Sequence, residues 1–356
     1  MDVAAENSEM TDALRSRLAR QLLTHRGRSA EEVAGRIVAI QAQDPRAARL
    51  AIRARSLGLT ASDVDRAFTR ERSIVITWLN RGTLHLARSE DYPWLRAITA
   101  PRGIAWANSR LRQLGVTPDE ADRTVELVVG ALENGPMTRQ QLRTRIAAAG
   151  LPVEGQAFIH QIFLASYRGH VVRGPMIGKQ HAFVLARDWL GGEPEPVDRD
   201  VALGELARRY LAGHGPATDA DLACWTGISL TEARAGVRRI ASELVEGSRG
   251  MVDLVGRSET EELPSPRLLG PFDPVLHGWA SRQPVVGDDL HRIVNGGLFR
   301  PFVLVDGRAA GTWNMVGGRA AIEAFEPLSS GDLAALEADA RDVERFLGHV
   351  ETAPAP

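Results

Sequence analysis

The stretch YLAGHGPATDADLACWTGI, residues 210–228, decides how the chain is read. Gly215 ends one helix, Pro216 cannot continue it, and Thr218 stands where a side-chain oxygen caps the next. The phrase returns as ALENGPMTRQQLRTRI at 131–146, with Gly135-Pro136 and Thr138, and without the proline as LLTHRGRSAEEVAGRI at 22–37, around Gly27. Three helix–break–helix phrases imply three copies of one module. Each is followed by a further helical stretch and a β-rich pair. SDVDRAFTR (62–70) precedes SIVITWLNRGTLHLAR (73–88), with Asn80-Arg81-Gly82 at the turn. QAFIHQIFLASYRG (156–169) precedes VVRGPMIGKQHAFVLA (171–186). SLTEARAGVRRIA (229–241) precedes LVEGSRGMVDLV (244–255). Helix–helix–helix–hairpin is the order of a winged helix.

The expected fold is therefore mainly α with small β-hairpins, built as three tandem winged-helix modules at 10–115, 116–198 and 199–262. From Leu268 the pattern changes. Val303-Leu304-Val305 before Asp306-Gly307 is a hairpin signal. A C-terminal antiparallel sheet with an amphipathic closing helix is expected over 263–350, and a disordered tail over 351–356.

Composition narrows the function classes. The chain has 356 residues, 44% of them hydrophobic, enough for a sizeable core. It has no apolar run of membrane-spanning length, and MDVAAENSEM lacks the apolar region of a secretion signal, so a cytoplasmic setting is expected. Cys224 is the only cysteine, which excludes intramolecular disulfides and multi-cysteine metal sites. The net charge of −2 conceals an asymmetry. No carboxylate lies between Gln156 and Arg187, where Arg168, His170, Arg173 and Lys179 occur; eight lie between Ala321 and Glu351, against Arg341 and Arg345. A locally basic face on a near-neutral protein can hold phosphates. Lys179 is the only lysine. Schiff-base lyase chemistry would have only it or the N-terminal amine as nucleophile, so such chemistry is not expected. No Walker-type loop points to ATP, and His277 and His291 lack a third ligand at metal-like spacing, so neither a cofactor nor a metal is expected. Trp225, Trp279 and Trp313 are expected in the core.

The most unusual local feature is AIQAQDPRAAR, 39–49. Asp44 before Pro45 marks a helix start, with Asp as N-cap and Pro at the first position. The helix from near Ala30 must then end by about Ile40, leaving Gln41 and Gln43 in an extended connection. There residues i and i+2 face the same side, whereas on a continuous helix they would lie about 200° apart. A paired-amide site is thus geometrically possible; two glutamines satisfying backbone groups between helices is the plainer reading. Asp44 reads either as the cap or as a water activator. Arg46, Arg49 and Arg53 follow at helical spacing on one face, where phosphates or solvent are the alternatives. Arg81 and His85 would share a strand face, and either grip DNA or form a buried network.

Several separated motifs carry a resemblance: IQAQDPRAARLAIRARSLGL (40–59), ITWLNRGTLHLARSEDYPWL (76–95), GHGPATDADLACWTGI (213–228), and LLGPFDPVLHG (268–278) with FRPFVLVDGRAAGTW (299–313). In this order, and over most of the chain, they resemble the AlkZ/YcaQ family of winged-helix DNA glycosylases. Gln41-x-Gln43 resembles the catalytic motif of the AlkZ branch; the other branch carries Gln-x-Asp. The resemblance implies a monofunctional DNA glycosylase that excises N7-alkylated purines, including bulky adducts or crosslinks, from double-stranded DNA. Two neutral amides suit that chemistry, because an N7-alkylated base already carries positive charge and leaves without protonation. The amides need only hold a water and face the cationic sugar. DNA contacts are expected from Arg46, Arg49, Arg53, Arg81, His85, Arg168, His170, Arg173 and Lys179. Three unequal modules in one chain favour a monomer around a lesion. A non-catalytic winged-helix regulator is the alternative, since this fold serves both roles. A bulky lesion further requires an open cleft rather than a base-sized pocket.

Overall fold

The computed structural model describes residues 3–193, 195–256 and 262–349; the expected tail at 351–356 lies outside them. The chain is mixed, with helices and several small antiparallel sheets. Among the described residues no helix is long and apolar enough to cross a membrane. The helix-break phrases form as their residues dictate. Thr138 and Thr218 cap the helices Arg139–Ala148 and Asp219–Thr226, each in a reciprocal capping box, with Gln141 and Asp221 respectively. One residue before each cap, Met137 and Ala217 make an antiparallel bridge to Phe183 and Val252 in the hairpin that follows.

The chain divides into two compact units. Residues up to Asp65 pack with those from Gly204 onward, and Arg66–Leu203 form the other unit. The units do not follow the linear segments, since 10–115 is divided after Asp65. The reason lies in side chains that reach far along the sequence. Arg53 pairs with Asp339, Arg55 with Asp273 and Arg20 with Asp253.

In the first unit the expected C-terminal sheet is present. Its order is Arg319–Ala324, Arg308–Val316, Phe302–Val305, Arg267–Leu269, all antiparallel. Alternation along Phe302–Val305 buries both faces. Val303, Val305 and Leu268 pack with Leu50, Leu336, Ala340 and Val343; Phe302, Leu304 and Leu269 pack with Leu14, Leu18 and Ala54. Leu50 and Ala54 both lie on the helix Pro45–Ala54, so the sheet seats the helix that begins just after the two glutamines. The turn at Asp306-Gly307 has φ of 49° and 76°, the left-handed pair that an Asp-Gly hairpin supplies. A Cβ on Gly307 would also come within 3.0 Å of Leu18. The closing helix, Ser330–Leu347, gives its acids internal work. Asp339 accepts from Arg53 and from the Leu268 amide, and Glu344 accepts from the Ala320 amide.

The second unit holds the helices Tyr92–Gln113, Pro118–Leu132, Arg139–Ala148 and Ala157–Tyr167 around one apolar cluster. Two hairpins complete it, Ile74–Trp78 with Leu84–Arg88 and Val171–Ile177 with Gln180–Leu185. The three tryptophans expected in the core are buried. The indole N–H of Trp279 donates to the His214 carbonyl, and that of Trp313 to Leu269.

Candidate active site

The two glutamines come together. The helix Ala30–Ile37 starts at Ser29, whose hydroxyl accepts from the Glu32 amide, and stops before Val38. The chain then runs extended through Ile40–Gln41. Asp44 is the N-cap of Pro45–Ala54, with one carboxylate oxygen accepting from the Arg46 amide at 2.8 Å and the Ala47 amide at 3.4 Å. Between these two ends Gln41 Nε2 donates to Gln43 Oε1 at 2.8 Å. Gln41 is 8% exposed, whereas Gln43 faces solvent. Which end of an amide carries oxygen follows from the hydrogen-bond network, and here one amide orients the other. The pair keeps acceptor capacity, on Gln41 Oε1 and on the second lone pair of Gln43 Oε1. It has no proton to give at neutral pH. It can hold a water and face a cation, but cannot serve as a general acid.

The basic residues fare unevenly. Gln41, Gln43, Arg46, Arg49 and Arg53 belong to the first unit; Arg81, His85, Arg168, His170, Arg173 and Lys179 belong to the second. Arg46 is exposed in the first turn of its helix. The expected phosphate face does not extend along that helix. Arg49 donates to Asp65 at 2.7 Å. Arg53 is buried, held by Asp339 at 2.9 Å, Asp342 at 3.4 Å and the Leu268 carbonyl. A guanidinium packed among carboxylates inside the fold has no reach to a phosphate, so Arg53 is a structural arginine. Arg81 sits at the apex of the 80–82 turn, in left-handed backbone with φ 53°, and is exposed. It therefore shares no strand face with His85. The His85 ring is buried, with Nδ1 3.0 Å from the Thr83 carbonyl, as the buried-network alternative requires.

The carboxylate-free segment is not an unpaired basic face. Acids from the helix Pro118–Leu132 and the residue after it answer it: Asp122 pairs with Arg168 at 2.6 Å and Glu133 with Arg187 at 3.1 Å. Arg173 lies over the rings of Trp78 and Phe183, at 4.9 Å and 4.2 Å, where burial lowers its pKa to about 10 and Arg139 adds to the shift. It acts as a cation–π plug rather than a phosphate ligand. His170 and Lys179 are exposed, the latter in the hairpin turn. Asp273 and Arg55 form a fully buried bidentate pair that also engages Gln21, a structural role.

A cavity of about 520 Å³ lies elsewhere in the first unit, beside Gly318, Arg341 and Arg345, and touches neither glutamine. Arg345 is committed there to Asp342 and to the carbonyls of Gly58 and Leu59. What sequence reasoning missed is Asp65 as the partner of Arg49 and the backbone of Val38. A carboxylate sixteen residues away carries no pairing signal, and nothing in a valine announces its φ.

Comparison with known proteins gives the chain's family. A family model described as DNA glycosylase AlkZ-like matches residues 34–346. The interstrand DNA cross-link repair glycosylase of Streptomyces sahachiroi is 32% identical over 362 residues, covering 93% of this chain and 95% of that protein. The solved structure of Streptomyces sahachiroi DNA glycosylase AlkZ superposes with a TM-score of 0.77 at 27% identity, over 95% of this chain and 96% of that one.

Proposed function

Since the chain belongs to the AlkZ-like DNA glycosylase family and is a DNA glycosylase, we propose that it hydrolyses the N-glycosidic bond of N7-alkylated purines, with Gln41 and Gln43 holding the water. The observation that carries this reading is the 2.8 Å amide–amide hydrogen bond between the two side chains, with Gln43 at the surface. The water oxygen bonds to the sugar C1′ as the C1′–N9 bond breaks. The bonding pair neutralises the cationic base, and the water proton leaves to solvent. Amide oxygens stabilise the oxocarbenium sugar through their dipoles. Because they supply no proton, a leaving group that needs none fits them best. Catalysis is monofunctional, and the partner is double-stranded DNA, bound by a monomer in the cytoplasm.

Bulky N7 adducts and interstrand crosslinks are the substrates we favour over a small methylated base. The exposure of Gln43 supports this, because such a lesion cannot be swallowed by a pocket. The cross-link repair named for the Streptomyces sahachiroi relative points the same way. The helix–helix–helix–hairpin order, repeated with the same bridge at Met137 and Ala217, supports three winged-helix modules. Arg46, Arg81, His170 and Lys179 are the exposed cations and imidazole proposed to meet the duplex.

The test is single-turnover excision from duplexes carrying N7-methylguanine, a bulky N7 adduct or an N7 crosslink, read as strand breaks after hot alkali. Gln41→Ala and Gln43→Ala are each expected to slow excision about 10²-fold, the usual loss for one preorganised polar group. DNA affinity should stay within about twofold. Wild-type rates in both variants would remove the pair from the mechanism.

A further inference from the structure

Val38 is the residue that turns the chain out of the helix Ala30–Ile37 toward the glutamines, and its backbone is unusual. Its φ is 70° and its ψ −51°. Its own amide still donates to the Ala34 carbonyl at 2.8 Å, the last bond of the helix. The next amide, of Ala39, donates to the Ile37 carbonyl at 2.8 Å. An i→i+2 bond around a residue of positive φ and negative ψ is a γ-turn of the rare, strained hand. Glycine enters it without steric penalty; a β-branched residue is a genuine outlier there. Strain of this kind persists only where the surroundings over-determine it, and it gathers at functional sites.

What over-determines it is visible. The Val38 side chain is fully buried, as are Val33, Ile37 and Ile40 around it in sequence. Six residues on, the chain is clamped again by the Asp44 cap and Pro45. Gln41 and Gln43 lie between the two clamps. Their mutual hydrogen bond holds the two amides to each other, and the direction in which the pair leaves the helix is set where the first clamp releases the chain.

We propose that Val38 is a positioning residue: its γ-turn, pinned by the buried isopropyl group, sets the direction in which Gln41 and Gln43 project. This rests on reading the glutamines as the pair that holds the water. Val38 touches no substrate and acts through the backbone.

Two substitutions separate this role from plain packing. Val38→Ala removes the buried methyl groups that pin the turn but keeps a Cβ, so the turn stays disfavoured and opens. Val38→Gly removes still more buried volume, yet it suits the turn. If the turn matters, single-turnover excision falls about tenfold in Val38→Ala and returns to within about threefold of wild type in Val38→Gly, since small misplacements carry large rate penalties. DNA affinity should stay within about twofold in both. If Val38 is only core packing, glycine is the worse variant or neither changes the rate, and either result overturns the proposal. Gln41→Ala is measured alongside on the same substrate. A wild-type rate in that variant defeats the catalytic reading itself; a slowed one, with glycine no better than alanine at 38, defeats only the inference about the turn. Circular dichroism at the assay temperature establishes that each variant is folded.

Discussion

Replacing Asp339 by alanine should unfold the first unit at a much lower temperature while leaving DNA affinity intact. Asp339 holds the buried guanidinium of Arg53 at 2.9 Å and accepts from the Leu268 amide at 2.7 Å. Breaking a buried pair by removing one partner costs about 3–5 kcal/mol. Asp342, 3.4 Å from Arg53 and 29% exposed, remains to compensate partly, which puts the ionic loss near the lower end, about 3 kcal/mol. The Leu268 amide, a ladder residue of the sheet, loses its carboxylate acceptor for about 1 kcal/mol more. A loss of about 4 kcal/mol in a unit of this size lowers its melting temperature by roughly 8–16 °C. Differential scanning calorimetry reads the shift. Fluorescence anisotropy against a lesion-bearing duplex over a salt series, below the transition, reads how many phosphates the protein neutralises. The slope of log affinity against log salt changes by about 0.9 for each phosphate that a cation ceases to neutralise, and here it should not change. A melting shift under about 4 °C would mean that Arg53 is not sequestered by the closing helix and that the phosphate role expected from its spacing survives.

Two further outcomes are expected. Asp44→Asn keeps an N-cap of equal rank but abolishes a carboxylate base, so excision should stay within about threefold of wild type; a loss as large as that of the glutamine variants would move water activation to Asp44. His214 is fully buried and stacked on Tyr210. Burial pushes its pKa down to about 3 against an opposing hydrogen bond with the Tyr210 carbonyl, with Arg55 and Arg17 adding to the fall. The unfolded chain binds a proton below about pH 6.5 that the native state refuses until about 3, so this stabilisation is complete above 6.5 and drains as pH falls through that window. Urea melts at pH 7 and 5.5 should therefore show about 1 kcal/mol less stability at the lower pH, and His214→Phe should remove most of that difference; an unchanged pH dependence in the variant would show that His214 is not its source.

Much of this protein was legible in one dimension, and the legible parts share a cause. Gly-Pro-x-Thr, Asp44-Pro45 and Asp306-Gly307 act through backbone geometry within four residues, so their helix caps and turns follow from local sterics and hydrogen bonding. The same locality left Gln41 and Gln43 in a connection outside either helix, because Asp44 and Pro45 start a new helix just after them. The apolar run Val303-Leu304-Val305 before Asp306-Gly307 likewise announced a hairpin strand, though not which residues would cover its two faces.

The basic residues were not legible, and charge is the reason. Spacing along a helix shows which arginines share a face, but not whether that face meets solvent or a carboxylate 286 residues away, as at Arg53 and Asp339. The carboxylate-free run from Gln156 to Arg187 has its counter-charges on Asp122 and Glu133, outside the window in which it was counted. Val38 is the same lesson in the backbone: its strained turn exists only because the surrounding core holds a side chain that would otherwise abandon it. Short-range sterics thus wrote the caps, the turns and the glutamine pair into the sequence. Coulomb partners and enforced dihedrals depend on which distant segments pack together, and only the folded chain decides that.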